Sequence, residues 1–268
     1  MRTFAELSRL SGRKVFITGA TGHIGRAATD VLVELGAHVA VSDRDAKVCA
    51  KRVEELNSRT RGSGAIAAVC DLSNERKLRQ AVDRATAQMK GLDVLVHCAA
   101  YMGSTRISGW AVPFEKQTVA AWDKALRVNL TAAFVMAQQA HQALAVSGHG
   151  SVILISSIYG VVGPDFTLYA NTPMANPLGY GASKGGVLQL MRYLSTLLAP
   201  RVRVNAISPG GILRGQPHAF QERYVQRTPL KRMGHEEDLK GAVAYLASDL
   251  SQYVTGHNLM VDGGWTAW

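Results

Sequence analysis

The chain has 268 residues, 47% of them apolar and 19% charged. That excludes a disordered whole and allows one α/β domain burying about three-quarters of its unfolded surface. The formal net charge is +10, but the basic residues are spread along the chain and no nucleic-acid motif accompanies them. No stretch reaches the ~18 uncharged apolar residues of a membrane span. Residues 1–15 lack the apolar core of a secretory signal, so a cytoplasmic protein is expected.

Residues 14–18 read as a first strand. Thr18-Gly19-Ala20-Thr21-Gly22-His23-Ile24-Gly25 follows it and opens a helix over 24–35. Glycines there let the backbone turn tightly and approach a pyrophosphate seated on the positive helix end. Gly19, Thr21, Gly22, His23, Ile24 and Gly25 are therefore cofactor candidates. A second strand, 38–42, ends at Asp43, the place for a carboxylate that grips an adenosine ribose 2′-hydroxyl and repels a 2′-phosphate. This favours NAD; the adjacent Arg44 keeps NADP open. After a helix over 46–57 and a strand over 65–70, Asp71-Leu72 falls where an adenine edge would lie, and Asp71 fits a plain turn or cap equally well. Helices over 75–89, 119–146, 180–198 and 236–247 then alternate with strands over 94–98, 151–156, 203–207 and 258–261. Continuous apolar strands bounded by amphipathic helices imply a parallel sheet of about seven strands with helices on both faces, doubly wound by right-handed crossovers. Residues 1–268 read as a single domain.

Irregular stretches near 101–116 and 160–179 follow strand ends, where open parallel sheets bind ligands. They carry Arg106, Trp110, Tyr159, Asp165, Tyr169 and Asn171 nearby, a mixture suited to a polyhydroxylated substrate or, alternatively, to a subunit interface. A third stretch, 210–232, is rich in arginine and lysine. With Arg214 it reads as a site for an anionic substrate or cofactor phosphate, or as a solvated or subunit-facing surface. Cys49, Cys70 and Cys98 show no metal spacing and read as reduced thiols, and no metal is expected.

Tyr180 and Lys184 stand four residues apart, on one face of the helix over 180–198. An ammonium beside a phenol favours the phenolate and makes Tyr180 a general acid/base candidate.

With Val128-Asn129-Leu130, Ile155-Ser156-Ser157, Pro209-Gly210 and Val261-Asp-Gly-Gly264 added, the whole chain from about residue 11 resembles the short-chain dehydrogenase/reductase family, whose fold is Rossmann-like. The resemblance implies that Tyr180 exchanges a proton with the substrate oxygen. Lys184 lowers its pKa and holds the nicotinamide ribose, Ser157 hydrogen-bonds the substrate, and Asn129 kinks its helix and holds a relay water. Ala99, Pro209, Gly210 and Ile212 join the cofactor site, along with Tyr180 and Lys184. Hydride passes between nicotinamide and substrate carbon without a metal. The family commonly forms homodimers or homotetramers. Separately, Trp265 and Trp268, at the end of this chain, are expected to pack on a partner subunit.

Three departures stand out. The glycine spacing TGxxGxxG and the 23 residues from Ser157 to Tyr180 resemble the longer branch that works on nucleotide sugars. His97-Cys98-Ala99-Ala100 replaces the usual Asn-Asn-Ala-Gly, putting the sheet-bracing hydrogen bonds in question. The usual Thr after Pro209-Gly210 is missing from Gly211-Ile-Leu-Arg214, leaving Ile212 backbone for the carboxamide. Residues 156–166 and the Trp265-Thr-Ala-Trp268 tail are similar to oxidoreductases of bacterial surface-sugar clusters, including those for nonulosonic sugars. The expected activity is alcohol–ketone interconversion on a polar, sugar-like, anionic small molecule. The alternatives are 3-oxoacyl-thioester or other small-carbonyl reduction, and a non-catalytic NAD-binding scaffold.

Overall fold

The structure, a computed structural model, describes residues 1–59, 64–102 and 107–268. Among the described residues, seven parallel strands form one sheet: β1 (Lys14–Thr18), β2 (His38–Ser42), β3 (Ala65–Ala67), β4 (Val94–His97), β5 (Gly150–Ile155), β6 (Val202–Pro209) and β7 (Asn258–Val261). Their order is β3-β2-β1-β4-β5-β6-β7. The direction of winding reverses between β1 and β4, which opens a crevice at the carboxyl ends of those strands. Register sets the crevice walls: Thr18 stands opposite both Ser42 and His97.

Side chains alternate across the sheet, so each strand feeds two cores. On one face Phe16, Leu95 and Leu154 pack on α4 (Glu75–Met89), α6 (Ala132–Val146) and α7 (Leu178–Leu197), through Leu78, Met136 and Met191. On the other, Ile17, Val41 and Val96 pack on α2 (His23–Glu34), α3 (Ala46–Arg59) and α9 (Lys240–Ala247), through Leu32, Leu56 and Leu246. A buried leucine or isoleucine contributes about 1.5–3 kcal/mol, and this two-sided burial holds the strand ends in place.

Four elements differ from expectation. β3 stops at Ala67, although Ala68 and Cys70 still donate their amides to Val41 and Asp43 at 2.9 Å. The chain thus tracks β2 to the crevice without a regular ladder. The helix expected over 119–146 is broken into α5 (Val119–Leu126) and α6 by a π-helical turn, Arg127–Thr131. A five-residue helix, α1 (Phe4–Ser8), precedes β1 and is closed by a Thr3–Glu6 capping box. Finally, the stretch 210–232 is not all loop: α8 (His218–Arg227) turns Phe220 and Tyr224, one helical turn apart, inward.

Candidate active site

The glycine turn packs too closely for side chains. Gly19 has φ +65°, and a Cβ there would lie 2.6 Å from the Ala99 backbone. A Cβ on Gly25 would overlap the Gly19 carbonyl oxygen. α2 begins at His23 with no side-chain cap, so its first amides face the crevice unpartnered by a cap. Gly19, Gly22, His23, Ile24, Gly25, Asp43, Arg44, Asp71, Leu72 and Ala99 all line one cleft of about 530 Å³. Thr21 donates its hydroxyl to Asp43 Oδ2 at 2.6 Å, and the Arg44 amide donates to Oδ1 at 2.8 Å. The carboxylate is held with lone pairs to spare for a diol. Asp71 accepts from the Ser73 amide and hydroxyl, which hold its carboxyl below the usual range. Ser42 Oγ, buried at the cleft wall, has no partner among the described residues. A backbone cradle, an open helix start, a fixed carboxylate and an orphan hydroxyl fit a dinucleotide.

Pro209 ends β6, and Gly210 and Ile212 line a separate cavity of about 450 Å³ rather than this cleft. The Ile212 carbonyl accepts from Gln216 at 2.7 Å, which leaves its N–H and one carbonyl lone pair for a carboxamide.

β5 delivers Ser156 and Ser157 to the crevice, and α7 delivers Tyr180 and Lys184. Gly160 lets the turn after Ser157 press on α7; a Cβ there would lie 2.7 Å from the Lys184 carbonyl oxygen. The Lys184 ammonium is buried, donates to the Ile155 carbonyl at 2.7 Å, and sits 5.8 Å from the Tyr180 ring centre. Burial pushes its pKa down to about 8. Burial pushes the Tyr180 phenol up, against a hydrogen bond with Ser157 and the charge of Arg214. In the protein alone, Ser157 and Arg214 draw the phenol down.

Asn129 sits in the π turn, fully buried. Its Oδ1 accepts from the Tyr101 amide at 2.5 Å and its Nδ2 donates to Ser183 Oγ at 2.9 Å. The expected kink is this turn. His97, a departure from the family's pattern, itself braces the sheet. Its Nε2 lies 3.1 Å from the Asn129 carbonyl and its Nδ1 2.9 Å from Thr18 Oγ1. A carbonyl only accepts, so Nε2 carries the proton and Nδ1 accepts from Thr18. Burial and the nearby Lys184 charge push His97 down to about 3, so it is neutral.

The substrate candidates fare unevenly. Arg106 lies outside the described residues. Trp110 is 2% exposed, donates to the Met102 carbonyl and packs edge-on against Tyr101, so it offers no face to a ligand. Tyr159 and Tyr169 share a hydroxyl–hydroxyl bond of 2.8 Å, extended by Asn176 at 3.3 Å, within electrostatic range of Tyr180. Arg214 lines the dinucleotide cleft instead of a substrate wall, with its Nε 3.0 Å from Glu236 Oε1. Most of the basic stretch is spent internally. Arg223 holds the carbonyls of Thr167, Leu168 and Ala170, Arg227 pairs with Asp165, and Arg232 pairs with Asp238. Trp265 packs within its own chain, correcting the expectation of a partner contact: it is 6% exposed, stacks on Tyr224 at 5.9 Å and meets Tyr159 edge-on. Burial holds the three thiols at about 11 to about 12, out of nucleophile range. Among the described residues no cluster suits a metal, and no helix is long and apolar enough to cross a membrane.

A Rossmann-like sheet with a cleft that fits a dinucleotide, and with Ser157, Tyr180 and Lys184 grouped where β5 and α7 meet, defines a nicotinamide-linked oxidoreductase. Residues 19–266 match the family model described as enoyl-(acyl carrier protein) reductase. The chain is 32% identical to cis-4-hydroxycyclohexanecarboxylate dehydrogenase of Sinomonas cyclohexanicum, over 95% of this chain and 97% of that one. It is 34% identical to L-rhamnose 1-dehydrogenase (NAD(P)(+)) of Sphingomonas sp. SKA58, over 95% and 96%. Its structure superposes on a gluconate 5-dehydrogenase from Burkholderia cenocepacia J2315, solved with NADP and tartrate, with a TM-score of 0.87, 28% identity and coverage of 99% and 100%. The chain belongs to the short-chain dehydrogenase/reductase family of NAD(P)-dependent oxidoreductases.

Proposed function

We propose that this protein interconverts a secondary alcohol and its ketone on a small, polar, sugar-like and anionic substrate, using NAD(H) in preference to NADP(H). The observation that carries the reading is the grouping of Ser157, Tyr180 and Lys184, with Tyr180 in reach of the charge of Arg214, a residue that lines a cleft fitting a dinucleotide. When bound, the nicotinamide supplies or accepts the hydride. Tyr180 gives its phenolic proton to the substrate oxygen during reduction and takes it back during oxidation. Ser157 hydrogen-bonds the same oxygen and fixes its distance from the phenol. Lys184, anchored on the Ile155 carbonyl, holds a positive charge beside the ring. Asn129 ties the residues after β4 to α7 and so keeps Tyr180 in register with Ser157.

The substrate class rests on two supports. Relatives act on hydroxylated rings and sugars, by their names a hydroxycyclohexanecarboxylate and rhamnose. The Tyr159–Tyr169–Asn176 chain sets hydroxyl and amide groups near the catalytic phenol. Asp43 underlies the NAD preference, since its carboxylate accepts a ribose hydroxyl and repels a phosphate. A homodimer or homotetramer in the cytoplasm completes the reading, with exposed Phe134, Tyr193 and Leu197 as contact side chains.

One observation favours a 3-oxoacyl-thioester reductase. A cavity of about 1040 Å³ beside Tyr159 and Gly181 is walled by Phe114, Val161, Phe166, Met174 and Leu178, an apolar surface suited to an acyl chain. A screen of NAD⁺ reduction across sugars, sugar acids and cyclic hydroxy acids, run beside NADH oxidation with acyl thioesters, decides between them. Turnover of thioesters alone would overturn the sugar-like reading.

A further inference from the structure

We propose that Arg214 is a cofactor-binding residue whose guanidinium grips the diphosphate of the dinucleotide. The inference rests on the nicotinamide-dinucleotide reading and replaces a substrate-facing role for this side chain. Among the described residues, two with permanent positive charge line the cleft, Arg44 at the Asp43 end and Arg214. Arg214 is held for the task. Its amide donates to Gln216 Oε1 at 2.7 Å, and Gln216 donates back to the Ile212 carbonyl at 2.7 Å, closing the turn. Its Nε is fixed on Glu236 Oε1 at 3.0 Å. The same carboxylate oxygen lies 3.4 Å from Nδ1 of His23, the first residue of α2. The guanidinium therefore stands one carboxylate away from the uncapped helix start that the glycine turn leaves open.

Its two Nη groups donate to nothing else among the described residues. Two parallel N–H groups match a pair of phosphate oxygens in a bidentate bond. A diphosphate carries more negative charge than one helix terminus balances, since the macrodipole amounts to about half a charge. In the other direction the charge of Arg214 reaches Tyr180 and Cys98. It thus lies in reach of both the helix start and the catalytic phenol, the two points that a bound dinucleotide would span. The resembling family's usual threonine would bring one hydroxyl to this turn, against a charged fork here.

The test is calorimetric titration of the parent, Arg214→Met and Arg214→Lys with adenosine, ADP-ribose and NADH. Adenosine probes the Asp43 end alone. Arg214→Met should weaken ADP-ribose and NADH about 10- to 100-fold and leave adenosine unchanged. Arg214→Lys should recover only part of that loss, because it keeps the charge without the fork. Unchanged ADP-ribose and NADH affinities in Arg214→Met, with or without a higher substrate KM, overturn the inference. So does an equal loss for adenosine, which would make Arg214 a support of the cleft's shape. A parent that binds neither ADP-ribose nor NADH overturns the dinucleotide reading itself. Parent binding that Arg214→Met leaves untouched overturns only this inference.

Discussion

Acid should destabilise this protein through His97, and replacing it with glutamine should remove the effect. The ring is fully buried, neutral, and pushed to about 3 by burial and by the Lys184 charge. In the unfolded chain a histidine titrates near ~6.5. The folded pKa is therefore depressed, and below ~6.5 the unfolded chain binds a proton that the folded chain refuses. Stability from this group is complete above ~6.5 and is lost as pH falls towards 3. At pH 5 the loss amounts to about 2 kcal/mol. Glutamine can still donate towards the Asn129 carbonyl and has no proton to gain. Urea denaturation of parent and His97→Gln at pH 7 and pH 5 reads the difference directly. The parent should lose about 2 kcal/mol more than the variant over that range. Equal losses would mean that His97 is not held neutral, and that the Thr18–His97–Asn129 chain is not made as described. His97→Leu is the severe control, since it strands the Asn129 carbonyl and the Thr18 hydroxyl at about 1–3 kcal/mol each.

Other changes carry equally definite expectations. Tyr180→Phe should lower kcat by about 100- to 10,000-fold while the NADH Kd stays within about twofold, measured by steady-state kinetics and fluorescence titration; full turnover would remove Tyr180 as the proton donor. Asp43→Asn should weaken NADH by about tenfold and narrow its advantage over NADPH, because the charge that accepts one hydroxyl and repels a phosphate is gone. An unchanged NADH/NADPH ratio would refute the ribose role. Trp265→Ala removes the ring stacked on Tyr224 and set edge-on to Tyr159, and should cost about 3–5 kcal/mol. The melting temperature should then drop by roughly 10 °C in a thermal scan, and an unchanged melt would return the C-terminal tail to a partner subunit.

The strands were readable because each is a short apolar run, and the sheet buries both faces of β1, β4 and β5. The glycine turn and the Tyr180–Lys184 pair were readable because their chemistry depends on spacing along one local element. What escaped was decided by contacts distant in sequence. Trp110 has the composition of a ligand platform, yet Met102, Tyr101 and the helix around Ala121 enclose it. The arginines of α8 look like an anion site until the loop at 165–170 supplies carbonyls and a carboxylate to absorb them. The π turn needs Tyr101 and Ser183 to pull Asn129 inward, and neither is near it in the chain. His97 was visible as a departure from pattern, but only the register of β1 against β4 gives it a partner.

The positive charge in this pocket is rationed by those same long-range contacts. Lys184 is buried, and burial already brings its ammonium down to about 8. A second full charge at His97, close enough for Lys184 to depress it, would push that ammonium further towards neutrality and remove the cation from beside Tyr180. Fixing His97 as a neutral donor to the Asn129 carbonyl avoids the conflict and still braces β4 against the π turn. Arg214, a guanidinium and so a permanent cation, stands at the crevice paired with Glu236 at the rim. The arrangement leaves one titratable cation, Lys184, at the phenol and sets the permanent charge of Arg214 in the dinucleotide cleft. A reaction that moves a hydride and a proton through the same few ångströms has a use for each.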